Sequence, residues 1–409
     1  MSNNLIKKVH YFIFYESIYQ CAPWINSIDI FLGKGYTVNV FQQEKRYNKY
    51  NKFMSKDRFN IYEYKINILT DFVLRVTLKS TSFFSKIGIL YPNKIAIKIN
   101  DFVRTRFYIK NVLSKLSLFN SGDIFIAGDP VSLFIADRIS KQKKGKLVFW
   151  NLELYIETEL SNPQKIKWKK IEKDCSARAQ VVLEFGHIRR ELLIEENKLN
   201  PQKVFVIPNA PIGEGGLLRN RYFNDKFNIP LNKIIVLSAG GISGVLGINE
   251  LMYAAKNFQE EFVFVIHSKI YMKDKHQGIE GKIYFNLDPL PYNKIDLIYS
   301  SCDIGVMIMR PEDRSSFTNH TFVDWSSGKL FNYLKFGKPI LTNDIPGYEE
   351  FVGGNKIGEI FKNKEDIISA LKKIHVSSQQ YSENALRMYN ELKFEKYHEL
   401  FYNKVLENQ

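Results

Sequence analysis

Cysteine is scarce in this chain of 409 residues: Cys21, Cys175 and Cys302 stand far apart, with no Cys-x-x-Cys pair. That spacing excludes a disulfide-stapled scaffold and a cysteine zinc site, and it fits a reducing compartment. Long apolar runs are missing too. No 18 apolar residues follow one another, so no segment reads as a membrane-spanning helix. Met1 to Lys8 is polar and the apolar run Val9 to Tyr15 is short, which is no secretory pattern, and a cytoplasmic location is expected. Acidic residues are under-represented in one half only. Residues 1–208 carry 34 Lys and Arg against 19 Asp and Glu, while the remainder holds 24 of each, so the whole net charge of +15 sits in the first half.

What is present fills two cores. A content of 45% hydrophobic and 14% aromatic residues over 409 positions exceeds what a single core usually holds. Four continuous apolar runs in the second half read as buried strands: Val204 to Asn209, Ile234 to Gly241, Phe262 to Ile266 and Asp303 to Met309. Helical patterns at Gly247 to Phe258 and Ile295 to Ser301 lie between them, and that alternation implies parallel sheets covered on both faces. In the first half, Lys8 to Tyr15, Gly33 to Phe41, Asp123 to Asp129, Lys146 to Tyr155 and Val181 to Arg190 repeat the same strand pattern, with a helix over Pro23 to Leu32. The fold expected is α/β, two Rossmann-like doubly wound parallel-sheet domains facing a cleft. The boundaries read as 1–208, 209–380, and a last helix from about Ser382 to Glu407, within residues 381–409, that crosses back to the first domain.

The run Ser326 to Asn343 carries the most chemistry. Ser326, Ser327 and Gly328 open a helix whose first N–H groups lie at the positive end of its dipole. Leu330, Tyr333 and Leu334 give it one apolar face, Gly337 supplies a left-handed stop and Pro339 prevents continuation. Lys329 stands in the first turn, where a cation opposes the dipole unless an anion is bound, so the placement points to a phosphate. In open parallel sheets ligands bind beyond the carboxyl ends of strands, which makes Asp129, Asn151, Glu153, Glu184, His187 and Arg189 cleft candidates in the first domain. Glu153 could equally accept a structural hydrogen bond, and His187 could be an ordinary helix-start residue.

The Ser326 to Asn343 run resembles the nucleotide-sugar segment of GT-B glycosyltransferases, and the order of elements from Val204 to Gln409 is similar to the C-terminal domain of their retaining members. The resemblance implies the GT-B architecture, an N-terminal acceptor domain and a C-terminal nucleotide-sugar domain. It also implies a hexosyltransferase-type activity with no cofactor beyond the donor, and no metal, since no Asp-x-Asp pair occurs. Donor-binding positions implied are Gly240, Gly241, Arg310, Ser327, Lys329, Asn332 and Glu350, with Arg314 as a further cation and Asn209 beside the donor. The chain departs from the family in two places. Gly241 and Leu246 stand where an Arg and a Lys neutralise the diphosphate in many members, and Asn332 replaces the ribose-binding glutamate. The upstream glutamate is replaced, one place offset, by Asp324.

The resulting expectation is metal-independent transfer of a sugar to a lipid-linked or oligosaccharide acceptor in bacterial surface-polysaccharide synthesis. Glu153 or Glu16 would be the base if configuration inverts. Basic and aromatic residues interleave at Lys79 to Lys98, Arg104 to Lys110 and Lys165 to Lys170, which suits an anionic membrane surface on the inner face of the plasma membrane as well as a merely solvated face. No nucleic-acid motif accompanies this charge, and nucleic acid is not expected as a partner. Two alternatives keep the fold and change the function: a catalytically inactive nucleotide-sugar-binding partner, and a nucleotide-sugar epimerase.

Overall fold

The computed structural model describes residues 7–15, 18, 21–43, 56–64, 91–241, 246–257, 261–268, 278–279, 281–288, 290, 294–310 and 317–407, with backbone alone for 91–101. Glu16, Arg314 and most of the Lys79 to Lys98 run lie outside the described residues.

Two all-parallel sheets form. The first joins β1 (Lys8–Ile13), β2 (Thr37–Gln43), β3 (Phe59–Tyr64), β4 (Ile124–Ala127), β5 (Lys146–Trp150), β6 (Val181–Glu184) and β7 (Val204–Val206) in the order β3-β2-β1-β4-β5-β6-β7. The second joins β8 (Ile234–Ala239), β9 (Phe262–His267), β10 (Ile283–Asn286), β11 (Ile304–Met307), β12 (Ile340–Asn343) and β13 (Gly358–Phe361) in the order β10-β9-β8-β11-β12-β13. The strand at Val204 corrects one expectation. It pairs Val204 with Val182 as the edge of the first sheet and is not part of the second. The order of strand addition reverses between β1 and β4 and between β8 and β11, so each sheet has a switch point where loops diverge and leave a crevice.

The helices that frame these crevices are α1 (Ala22–Gly33), α2 (Tyr91–Leu113), α3 (Pro130–Lys143), α4 (Pro163–Ser176), α5 (His187–Asn197), α6 (Ile248–Asn257), α7 (Phe317–Thr321), α8 (Gly328–Lys335), α9 (Ile367–Val376), α10 (Ser378–Glu391) and α11 (Phe394–Glu407). Sequence signals account for several starts and stops. Asp129 and Asn162 cap α3 and α4, each followed by proline in the first turn, and Gly337 adopts the left-handed conformation that ends α8 (φ +60°). Tyr333 anchors α8 beneath the second sheet. Its hydroxyl donates to the Leu237 carbonyl at 2.7 Å and lies 3.1 Å from the Ala239 N–H, and its ring passes so close to β11 that a Cβ on Gly305 would meet it at 2.5 Å.

One apolar core runs from the first sheet through Ile207 and Ala210 of the connecting segment to the second sheet and α11. The single terminal helix expected from Ser382 is instead two, α10 and α11, parted at Leu392 and Lys393. The break lets α11 lie on the first domain: Phe394 stacks on Trp150 with centroids 6.2 Å apart, and the His398 ring is 2.8 Å from the Ser27 hydroxyl. The three cysteines are free and buried. Among the described residues no helix is long and apolar enough to cross a membrane.

Candidate active site

The second sheet brings one helix start up against one strand end. Ser327 caps α8 with its side chain making no capping bond, so the first-turn N–H groups keep the vacancy that the i→i−4 pattern leaves. Lys329 projects from that turn over the end of β8, its ammonium 3.3 Å from where a Cβ on Gly240 would stand. Gly240 has φ +129°, and the missing side chain makes room for the lysine. Among the described residues no carboxylate or carbonyl accepts from Lys329, and burial pulls its ammonium down to about 8 from 10.5.

The surroundings hold this helix start in place. Asn209 receives a double tie, its N–H donating to the Trp325 carbonyl at 2.9 Å and its amide to the Ser326 carbonyl at 2.8 Å, while its Oδ1 stays buried and unpartnered. Asn332, one turn along α8, donates to the Gly328 carbonyl at 2.7 Å. Asp324 is buried, and burial pushes its carboxyl up to about 6 against the opposing pull of the Trp325 N–H and the Arg189 charge, with exposed Glu350 adding to the rise.

Two donor expectations are corrected here. The Gly240 N–H already donates to the His267 carbonyl at 2.8 Å, completing the β8–β9 edge, and has no hydrogen left for a phosphate. Arg310 turns to α6 and binds Glu250 at 3.1 Å, so its charge is matched away from Lys329. Gly241 is exposed beside Leu246, whose methyl is 3.2 Å from where a Cβ would lie.

On the first domain the candidate carboxylates separate into spent and available ones. Asp129 accepts from the N–H groups of Val131 and Ser132, the Ser132 hydroxyl and the Phe14 N–H at 2.9 Å, which makes it a helix cap that also pins the exit of β1. Glu184 has no exposed surface and accepts from Asn151, the Phe185 N–H and Arg189, the last at 2.8 Å. Arg189, itself 1% exposed, reaches on to Asn319 of α7, and the Asn319 amide donates to Glu153. Asn151, Glu184 and Arg189, expected to face the cleft as separate groups, therefore form one buried brace that crosses it. Exposed Glu153 is the end of that chain. A second tie lies alongside, where Thr318 donates to Glu159. His187 is exposed, with its ring edge on Trp325 at 5.1 Å, and Gly186 (φ +84°) allows the approach, since a Cβ there would sit 3.0 Å from that of Trp325.

Asn319 escaped sequence reading because a lone asparagine in Phe317–Thr321 carries no periodicity or spacing. The two bonds from Asn209 to the approach of α8 carry no sequence signal either. Among the described residues no cluster of three or more His, Cys, Asp or Glu is placed to hold a metal ion.

No protein-family model and no curated protein matches the chain by sequence. Solved structures match it along nearly its whole length. HepE of Anabaena in complex with UDP-glucose aligns with a TM-score of 0.66 at 10% identity, covering 98% of this chain and 99% of that one. Sucrose-phosphate synthase from Thermosynechococcus elongatus aligns at 0.63 and 12%, covering 98% and 100%. The lipopolysaccharide outer core galactosyltransferase WaaB aligns at 0.55 and 12%, covering 98% and 100%. The two facing parallel-sheet domains are the GT-B architecture.

Proposed function

We propose that this chain is a glycosyltransferase that moves a hexosyl group from a nucleotide-sugar, with UDP as the first nucleotide to test, to a hydroxyl of an acceptor held against the first domain. The observation that carries the reading is Lys329, a lysine at the start of α8 with no partner among the described residues, whose ammonium hangs over the exit of β8. Burying such a charge without a partner is costly, and a bound diphosphate would offset that cost. The leaving diphosphate would be stabilised by this ammonium and by the first-turn N–H groups, which are fixed before the reaction begins. No metal is required in this scheme. Glu153, the exposed carboxylate at the end of the brace, would take the acceptor proton if configuration inverts and would orient the acceptor if it is retained.

A lipid-linked glycan acceptor, bacterial surface-polysaccharide synthesis and work at the inner face of the plasma membrane complete the proposal. They are supported by the excess of 34 basic over 19 acidic residues in the first 208 and by the likeness to a lipopolysaccharide galactosyltransferase. The absent cations at Gly241 and Leu246, with Arg310 engaged by Glu250, favour one rival, an inactive nucleotide-sugar-binding partner. A thermal-shift screen with UDP, GDP, CMP and dTDP should give stabilisation by one nucleoside diphosphate. Lys329→Ala should then weaken that ligand by about 1.5 to 3 kcal/mol with the fold intact. Unchanged affinity in the variant removes Lys329 from the site, and binding without any donor turnover favours the inactive partner.

A further inference from the structure

The first domain has a pocket of about 380 Å³ that none of the foregoing chemistry uses. It opens at the carboxyl ends of three neighbouring strands: Tyr15 follows β1, Pro130 follows β4 and Tyr155 follows β5, with Leu160 and Trp168 completing the wall. Tyr155 lies two residues beyond Glu153, so pocket and carboxylate belong to one loop. The size falls within the range of small-molecule sites, and the wall is aromatic and aliphatic.

Two of its polar groups are spoken for within the chain. The Asn162 side-chain Oδ1 caps α4 by accepting from the Gln164 N–H at 2.8 Å, and the Lys169 ammonium is buried against Glu172 at 2.7 Å. Lys165 at the rim has no carboxylate partner among the described residues, and the Tyr155 ring lies 5.8 Å from its ammonium. Exposed Lys167 and Lys170 continue the cationic face along α4, beside half-buried Trp168 whose far side rests on Phe134. A largely apolar slot with a cation at its mouth that has no counter-ion among the described residues matches a hydrocarbon chain joined to a phosphate.

We propose that this pocket binds the hydrocarbon chain of a phosphorylated lipid acceptor, with its phosphate at Lys165 and its sugar hydroxyl toward Glu153. This deepens the transferase reading and rests on it. Asp129 gains a purpose in the arrangement: by capping α3 and holding the Phe14 N–H it fixes the turn that presents Tyr15.

Isothermal titration with octyl phosphate should give saturable binding, and Trp168→Ala should weaken it about tenfold or more. Gln164→Trp, which fills the mouth from the exposed start of α4, should do the same should the first variant unfold. Lys165→Ala should weaken octyl phosphate about threefold and leave octyl glucoside unchanged. Geranyl phosphate separates an isoprenyl from an acyl chain, and tighter binding of either supports the pocket. Octyl phosphate affinity untouched by both mouth and wall variants overturns the proposal, and octyl glucoside binding as tightly as octyl phosphate overturns its phosphate half. Nucleotide binding, measured on the same samples, should be unaltered throughout. Its loss with octyl phosphate binding intact would strike at the donor site at Lys329 and leave the pocket standing.

Discussion

The two faces of the cleft handle charge in opposite ways. On the second domain Lys329 has no counter-ion among the described residues, and burial lowers its ammonium. On the first, Glu184 and Arg189 are more deeply buried yet meet each other at 2.8 Å, and Arg189 passes on to Asn319. A buried charge with its partners in the chain is scaffold. A partly buried charge with none is a place for something the chain does not supply.

The largest expected effect tests the scaffold side. Arg189→Ala leaves Glu184 buried and unpaired, and should cost about 3 to 5 kcal/mol of folding stability, read by chemical denaturation. A variant of ordinary stability that has lost acceptor turnover would reverse the comparison and make Arg189 part of the site. Glu153 sits where the two categories meet, since it accepts from Asn319 yet remains exposed. If it is the base of an inverting reaction, Glu153→Gln keeps shape and nucleotide binding while kcat falls about 10²-fold. If configuration is retained, donor hydrolysis without acceptor should be little changed, and product anomeric configuration by NMR decides between the two. Full activity in the variant would demote Glu153 to the end of the brace.

These contrasts also mark how far the sequence could be read. The strands were legible because parallel strands covered on both faces become continuous apolar runs, such as Phe262 to Ile266, all buried. Lys329 was legible because a first-turn lysine runs against the helix dipole, a local oddity that needs no tertiary knowledge. Pairing partners were not. Nothing near Arg310 announces that Glu250 will take its charge, and nothing near Arg189 announces Asn319, 130 positions away. The Gly240 N–H misled for a related reason: a glycine turn after a strand suggests free N–H groups, but β9 outlasts the turn and claims this one. A residue at odds with its own helix could be picked out, and which charges meet could not.

The smallest expected effect is also the one that isolates the unpaired lysine. Lys329 holds its proton in the unfolded chain up to about 10.5 and in the free native protein only to about 8. Between those values the unfolded state binds more protons than the native one, so this lysine makes stability rise with pH across that window, and Lys329→Ala should lose that contribution. A bound diphosphate restores the charged form, so binding must take up a proton wherever the free protein has lost it. Nucleoside-diphosphate affinity should therefore be level below about pH 7 and fall by up to tenfold per unit above about 8. Asp324, whose carboxyl is pushed up to about 6, titrates two units lower and cannot imitate this slope. Calorimetry in buffers of different ionisation enthalpy reads the proton directly. Uptake near one proton at pH 9 in the native protein and none in Lys329→Ala would place the diphosphate against this ammonium, and equal uptake in both would assign the anion to other groups.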